Sequence, residues 1–192
     1  MPASPAARCA ARKAGLWTSP VPPIKARDGY RDVRPPPGAM PAGRAMAVSR
    51  TYSYDARLIT PADRAARSGL EIMQAILAGE LPMAAIAGTL DFRLAGVEPG
   101  RVLFTGTPQT FACNMFGAMH GGWAATLLDS AMGCAVNTVV RAGFHYTTVD
   151  LTINYVRPVT EASGEVRAEG KVVHAGRRIA TAEGRLTAAD GR

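Results

Sequence analysis

The sequence predicts an α+β fold in which one long buried helix lies against a five-stranded antiparallel sheet. Three observations predict it. Between residues 121 and 140 apolar side chains recur at helical spacing over more than one face, as in a helix mostly wrapped by protein. On either side of that stretch, short segments alternate apolar and polar residues with the two-residue period of a strand. Turn-forming runs, Glu98-Pro99-Gly100-Arg101 and His174-Ala175-Gly176-Arg177, separate neighbouring segments at hairpin distances.

Taken in order, the chain opens on a segment of different texture. The first 49 residues hold nine of the fourteen prolines, with arginine and alanine filling most of the rest. Proline at this density removes backbone donors and blocks both helix and sheet. Residues 1–50 are therefore expected to be a disordered Pro/Arg/Ala-rich extension, and residues 51–192 to hold the folded domain. A basic tail, a targeting peptide and translated sequence upstream of the true start are its three readings. An inert tail or a mis-assigned start is favoured, with Met40 or Met46 as the start residue.

Thr60-Pro61-Ala62-Asp63 then supplies a cap, a proline at the first helical position and an acid in the first turn. Leu70, Met73, Ile76 and Leu77 continue this N-terminal helix to Gly79, and Pro82 to Ala87 could add a further turn. Leu90, Phe92 and Leu94 alternate with Asp91 and Arg93 as a strand, and Val102 to Thr107 return beside it. The central helix runs from Gly121 or Gly122 to Val140. After it Val149, Leu151, Ile153 and Tyr155 alternate with Asp150, Thr152 and Asn154 until Pro158 ends the strand. Val166, Ala168, Gly170 and Val172 form the next strand, and Ile179 to Thr187 pair back against it.

Charge narrows the partners. The net charge of +7 resides in residues 1–50, which carry nine Lys or Arg against two Asp or Glu; the rest of the chain is balanced. The folded part thus offers no basic excess to a nucleic acid. No apolar run is long enough to span a bilayer, because Asp129 interrupts the best candidate, and the amino terminus lacks a signal-peptide core. Cys9, Cys113 and Cys134 are scattered and odd in number, which fits a reducing cytoplasm rather than a disulfide framework or zinc site.

The chemistry concentrates between Asn114 and Val136. Asp129 is a lone carboxylate inside an otherwise apolar helix, and burying an unpaired carboxylate is expensive unless it has a use. His120-Gly121-Gly122 opens the same helix, where backbone N–H groups face a negatively polarised atom and no Cβ blocks approach. A base or nucleophile together with an oxyanion site points to acyl transfer. Eight residues separate Gly121 from Asp129, roughly 12 Å along one helix. Both can serve one carbonyl only if they come from two chains packed as an isologous dimer.

The joint order Asn114, Gly117, His120, Gly121, Gly122, Asp129, followed by Thr148, Asp150, Leu151, Tyr155, Arg157 and Pro158, resembles the acyl-CoA thioesterases of the phenylacetate-degradation (PaaI-like) family, which have the hotdog fold. The resemblance runs from about Ala66 to Gly191. It implies that Asp129 is the catalytic carboxylate, as general base or nucleophile, and that the Gly121 N–H is the oxyanion donor. It implies that Asn114 helps place the water or thioester, and that Thr148 stands near the attacking water. Strand alternation leaves Thr147 as the alternative to Thr148. Coenzyme A would arrive as part of the substrate, with no metal or other cofactor, and the subunits would share sites in a homodimer, paired further into a homotetramer.

Plainer roles compete for several of these residues. Asp129 could serve a structural network and Asn114 a turn, while His120 stands evenly between a general base and a helix cap or packing residue. Gly122 stands with Gly121 at the helix start, where substrate approaches. Arg177 and Arg178, like Arg157, could meet coenzyme A phosphates or simply face solvent. Trp123 and Met132 suit the core as well as an acyl pocket, and His145 and His174 lack metal-ligand spacing. Two other functions fit the pattern: a dehydratase or hydratase on acyl thioesters, which needs a His–acid pair, and a non-catalytic acyl-CoA-binding protein, which needs an output module.

Overall fold

The structure, a computed structural model, describes residues 47–191. Of the predicted extension, only residues 47–50 fall within that range. Arg50 donates to Thr89 O at 2.6 Å, and its guanidinium lies 3.5 Å from the centroid of the Phe111 ring. Gly88 leaves the room that Ser53 O and Tyr54 occupy. The start of the described chain is thus laid across the next helices.

The expected N-terminal helix is two helices, α1 (Pro61–Ala66) and α2 (Gly69–Leu77). Each opens on its own capping box, Thr60 with Asp63 and Ser68 with Glu71, and the second box is what breaks the run. Helix α3 (Ala85–Leu90) follows, later than the proline-led turn predicted at 82–87, and ends at Asp91 with φ +57°. Leu90, expected in a strand, therefore closes a helix, and β1 begins at Phe92.

Strands β1 (Phe92–Glu98), β2 (Arg101–Gly106), β3 (Val166–Ala175) and β4 (Ala180–Thr187) form one antiparallel sheet in the order β1-β2-β3-β4. The central helix α4 (Gly121–Asn137) lies on it. Trp123, Leu127, Ala131 and Ala135, at four-residue steps, are buried and meet Val102, Phe104, Val166 and Ala168 of the sheet. Phe104 and Leu127 are fully buried, each contributing about 2–3 kcal/mol by removal from water.

Glycines set how close the layers come. A Cβ on Gly170 would lie 2.3 Å from the Ala131 backbone, so the helix rests directly on β3. Thr138 ties the far end of α4 to the first hairpin, accepting from Gly100 N at 2.7 Å and donating to Ala135 O at 2.6 Å.

The sheet corrects one expectation. Four strands, not five, are hydrogen-bonded among the described residues, because the stretch Val149 to Tyr155 joins no ladder. It runs instead beside α4, and its contacts step back along the helix as the chain advances. Tyr146 meets Gly133, Thr148 meets Asp129, and Tyr155 meets Gly121. Along it Val149, Leu151 and Tyr155 are left exposed, as is Val156 just after it. The α+β class and the central helix on an antiparallel sheet are as predicted.

Candidate active site

Two structures, one at each end of a short stretch of α4, carry the predicted chemistry. The first is the loop that leads into the helix. Cys113 and Met119 form an isolated antiparallel bridge at its neck. Within it Asn114 N donates to Ala118 O at 2.7 Å, and Gly117 turns with φ +82°, a conformation that suits glycine. The Asn114 side-chain oxygen accepts from Phe116 N at 2.9 Å and Ala118 N at 3.3 Å. That atom holds the loop's own turn, and the side-chain NH₂ is the end left to meet a substrate.

His120 stands at the N-cap of α4. Its Nδ1 accepts from Gly122 N at 2.9 Å, so that nitrogen carries no proton and Nε2 carries it in the neutral ring. Gly122 is exposed, but its N–H is already taken. As the first helical residue, Gly121 keeps an N–H with no acceptor inside the helix. Of the two glycine amides, Gly121's is therefore the one able to serve an oxyanion. Tyr155 packs over this glycine, donating its hydroxyl to Gly121 O at 2.9 Å, and a Cβ on Gly121 would lie 3.1 Å from the tyrosine ring.

The second structure is Asp129. It is half-buried on α4, two turns beyond Gly121, and its Oδ1 accepts from Thr148 Oγ1 at 2.9 Å. Between Thr147 and Thr148, it is Thr148 that meets the carboxylate; Thr147 is exposed beside it. Behind them burial pushes the Cys134 thiol up to about 12 and raises the Tyr146 phenol as well. This side of the helix favours the neutral forms of both groups.

The structure does not bring the remaining candidates to this place. Arg177 and Arg178 are exposed in the turn between β3 and β4, with no hydrogen bond or ion pair to Asp129 or to the 113–120 loop. Trp123 is buried and donates Nε1 to Leu90 O at 2.8 Å, which makes it a core residue. Among the described residues no group of three or more His, Cys, Asp or Glu could hold a metal ion, and no helix is long and apolar enough to cross a membrane. Sequence reasoning missed Tyr146 and the notch it fills. The available signal was Gly133, a glycine inside a helix, which usually has a packing reason.

Residues 116–192, less than half of the chain, match the thioesterase superfamily. A curated protein of Halobacterium salinarum, provisionally named an esterase, is 39% identical over 69 residues, which is 35% of this chain and 44% of that protein. The match thus spans less than half of the relative's length. The solved structure of conserved protein PA5202 from Pseudomonas aeruginosa is 29% identical with a TM-score of 0.53, over 56% of this chain and 85% of that one. Two further structures share the fold. A phenylacetic acid degradation-related protein of Ralstonia eutropha JMP134, provisionally named a thioesterase, is 24% identical with a TM-score of 0.56, over 61% and 89% of the two chains. The E. coli PaaI protein of the phenylacetic acid degradation operon is 20% identical with a TM-score of 0.55, over 65% and 85%. The chain therefore has the hotdog fold, and its match to the thioesterase superfamily covers the elements that carry Gly121, Asp129 and Thr148.

Proposed function

We propose that this protein hydrolyses an acyl-CoA thioester to the free acid and coenzyme A. The observation that carries the reading is Asp129, a half-buried carboxylate on an apolar helix, bonded by the Thr148 hydroxyl at 2.9 Å. That bond commits one carboxylate oxygen and orients the group. The other oxygen can take the proton of an attacking water, or attack the carbonyl itself. The Gly121 N–H, at the positive end of α4, receives the developing oxyanion, where one aimed donor lowers the barrier by about 3–4 kcal/mol.

Gly121 and Asp129 are roughly 12 Å apart along their common helix, so no single carbonyl reaches both in one chain. The reading therefore places each site between two copies, one supplying Asp129 and Thr148, the other Gly121, Gly122, His120 and Asn114. Such dimers would pair into a tetramer in the cytoplasm. Arg177 and Arg178 are available to coenzyme A phosphates, and Thr147 to the substrate beside Thr148. The hydratase alternative is weaker. Its His–acid pair is not formed within the chain, since His120 turns back onto its own helix and Asp129 is held by Thr148.

The test is coenzyme A release from a panel of acyl-CoAs, read with a thiol reagent, with enoyl substrates monitored in parallel for loss of the double bond. Asp129→Asn should keep its circular dichroism and lower turnover by about a hundredfold or more. A folded Asp129→Asn protein at near-normal rate refutes the assignment. Water addition to enoyl-CoA without coenzyme A release refutes the reaction.

A further inference from the structure

Neither the core nor the proposed chemistry accounts for the contact between Tyr146 and Gly133. A glycine inside a helix is less stable than alanine by about 1 kcal/mol, so the missing methyl group needs a local reason. Here the reason is spatial. A Cβ on Gly133 would lie 2.8 Å from the Tyr146 hydroxyl oxygen and 3.0 Å from its ring Cε2. The phenol thus fills a notch in α4 at Gly133, next to Cys134 in the chain.

Two residues further on, Thr148 meets Asp129, and Asp129 lies one helical turn before Gly133. Residues four apart on a helix share a face, and residues two apart on an extended chain share a side. The notch and the Thr148–Asp129 bond are therefore adjacent contacts of the same two segments. A slip of one residue would bring Thr147 or Val149 to the carboxylate, and Val149 has no hydroxyl. The other tyrosine contact, Tyr155 on Gly121, lies seven residues beyond Thr148 and is too distant to set its register.

We infer that Tyr146 is a positioning residue: seated on Gly133, it sets the register of the segment beside α4 and so holds the Thr148 hydroxyl on Asp129. The inference rests on the catalytic reading of Asp129 and Thr148, and its test separates the two. Tyr146→Ala should lower kcat by about ten- to a hundredfold with KM little changed, as misplacement of a reacting group does. Tyr146→Phe, which keeps the ring in the notch, should stay within about threefold of the native rate. Gly133→Ala attacks the same contact from the helix side and should reproduce the Tyr146→Ala loss, and adding Tyr146→Phe to it should recover part of the rate. In a Thr148→Ala background, Tyr146→Ala should cost less than about a further twofold, since both changes remove one effect.

Losses that multiply in the Tyr146→Ala/Thr148→Ala double variant would overturn the inference. So would a crystal structure of Tyr146→Ala, or of Gly133→Ala where the first variant fails to fold, with Thr148 Oγ1 still at hydrogen-bond distance from Asp129 Oδ1; a separation beyond about 3.5 Å is expected. That structural readout decides the inference even if Asp129→Asn and Thr148→Ala keep full turnover, an outcome that would sink the catalytic reading alone.

Discussion

At His120 the imidazole nitrogen that could serve as a base already accepts the Gly122 N–H. An acceptor so engaged must stay unprotonated, so Nδ1 cannot shuttle protons while it caps the helix. Capping is a task that another short polar side chain can perform. His120→Asn is expected to keep turnover within about fivefold, and His120→Ala to lose about 1 kcal/mol of stability in urea titration. Equal loss of turnover in both variants, with stability unchanged, would make the imidazole a participant in the chemistry. Cys134 and Tyr146 give a second test at this scale. The fold favours their neutral forms, raising the thiol from 9.0 to about 12 and the phenol above 10.0. A raised pKa contributes stability that is complete below the unfolded value and fades as pH climbs through the folded one. The urea midpoint should therefore fall as pH rises from about 9 toward 12, and Cys134→Ala should flatten that decline. A native midpoint that stays level across this window would overturn the assigned burial.

Among the elements, α4 matters most, because both halves of the proposed site ride on it. Its seat is the glycine of β3: Gly170→Val would drive a side chain into the Ala131 backbone and lift the helix from the sheet. The expected cost is about 3 kcal/mol or more, read as a shifted denaturation midpoint, and turnover should fall with it because Gly121 and Asp129 move together. Gly170→Val with native stability would show that the layers are not in contact there. The helix was legible from sequence, since its apolar periodicity is long and Asp129 stands out against it. The two hairpins were legible from turn residues at Glu98–Arg101 and His174–Arg177. The fifth strand was not, because alternation reports two unlike sides of a chain and says nothing of a hydrogen-bonded neighbour. At Val149–Tyr155 the chain is tied to α4 by bonds from Thr148 and Tyr155, and no ladder forms. Leu90 was misplaced for a related reason: its spacing with Phe92 and Leu94 mimics a strand, while the left-handed Asp91 between them ends a helix.

The molecule as a whole exposes apolar residues on the two elements that border the site. Met115 and Phe116 at the tip of the leading loop are 91% and 77% exposed, and Val149 and Val156 on the segment beside α4 are 92% and 89% exposed. Exposed apolar side chains that form one contiguous patch mark surfaces that meet another protein. In the proposed reading a second copy is that partner, since it would also resolve the roughly 12 Å gap between the carboxylate and the amide. This arrangement has a consequence that a site within one chain lacks. Asp129→Asn subunits keep a good Gly121, and Gly121→Pro subunits keep a good Asp129; proline suits the first helical position and removes only the N–H, although the Tyr155 ring must shift to admit it. In a hybrid dimer one site receives both defects and the other receives none. Random mixing of equal amounts makes half of the dimers hybrid, so activity should rise from near zero to about a quarter of the native value. Size-exclusion and mass analysis of differently tagged subunits would establish that hybrids had formed. If they form and stay inactive, Gly121 and Asp129 do not act on the same carbonyl from two chains, because a shared site leaves every hybrid with one complete set of groups.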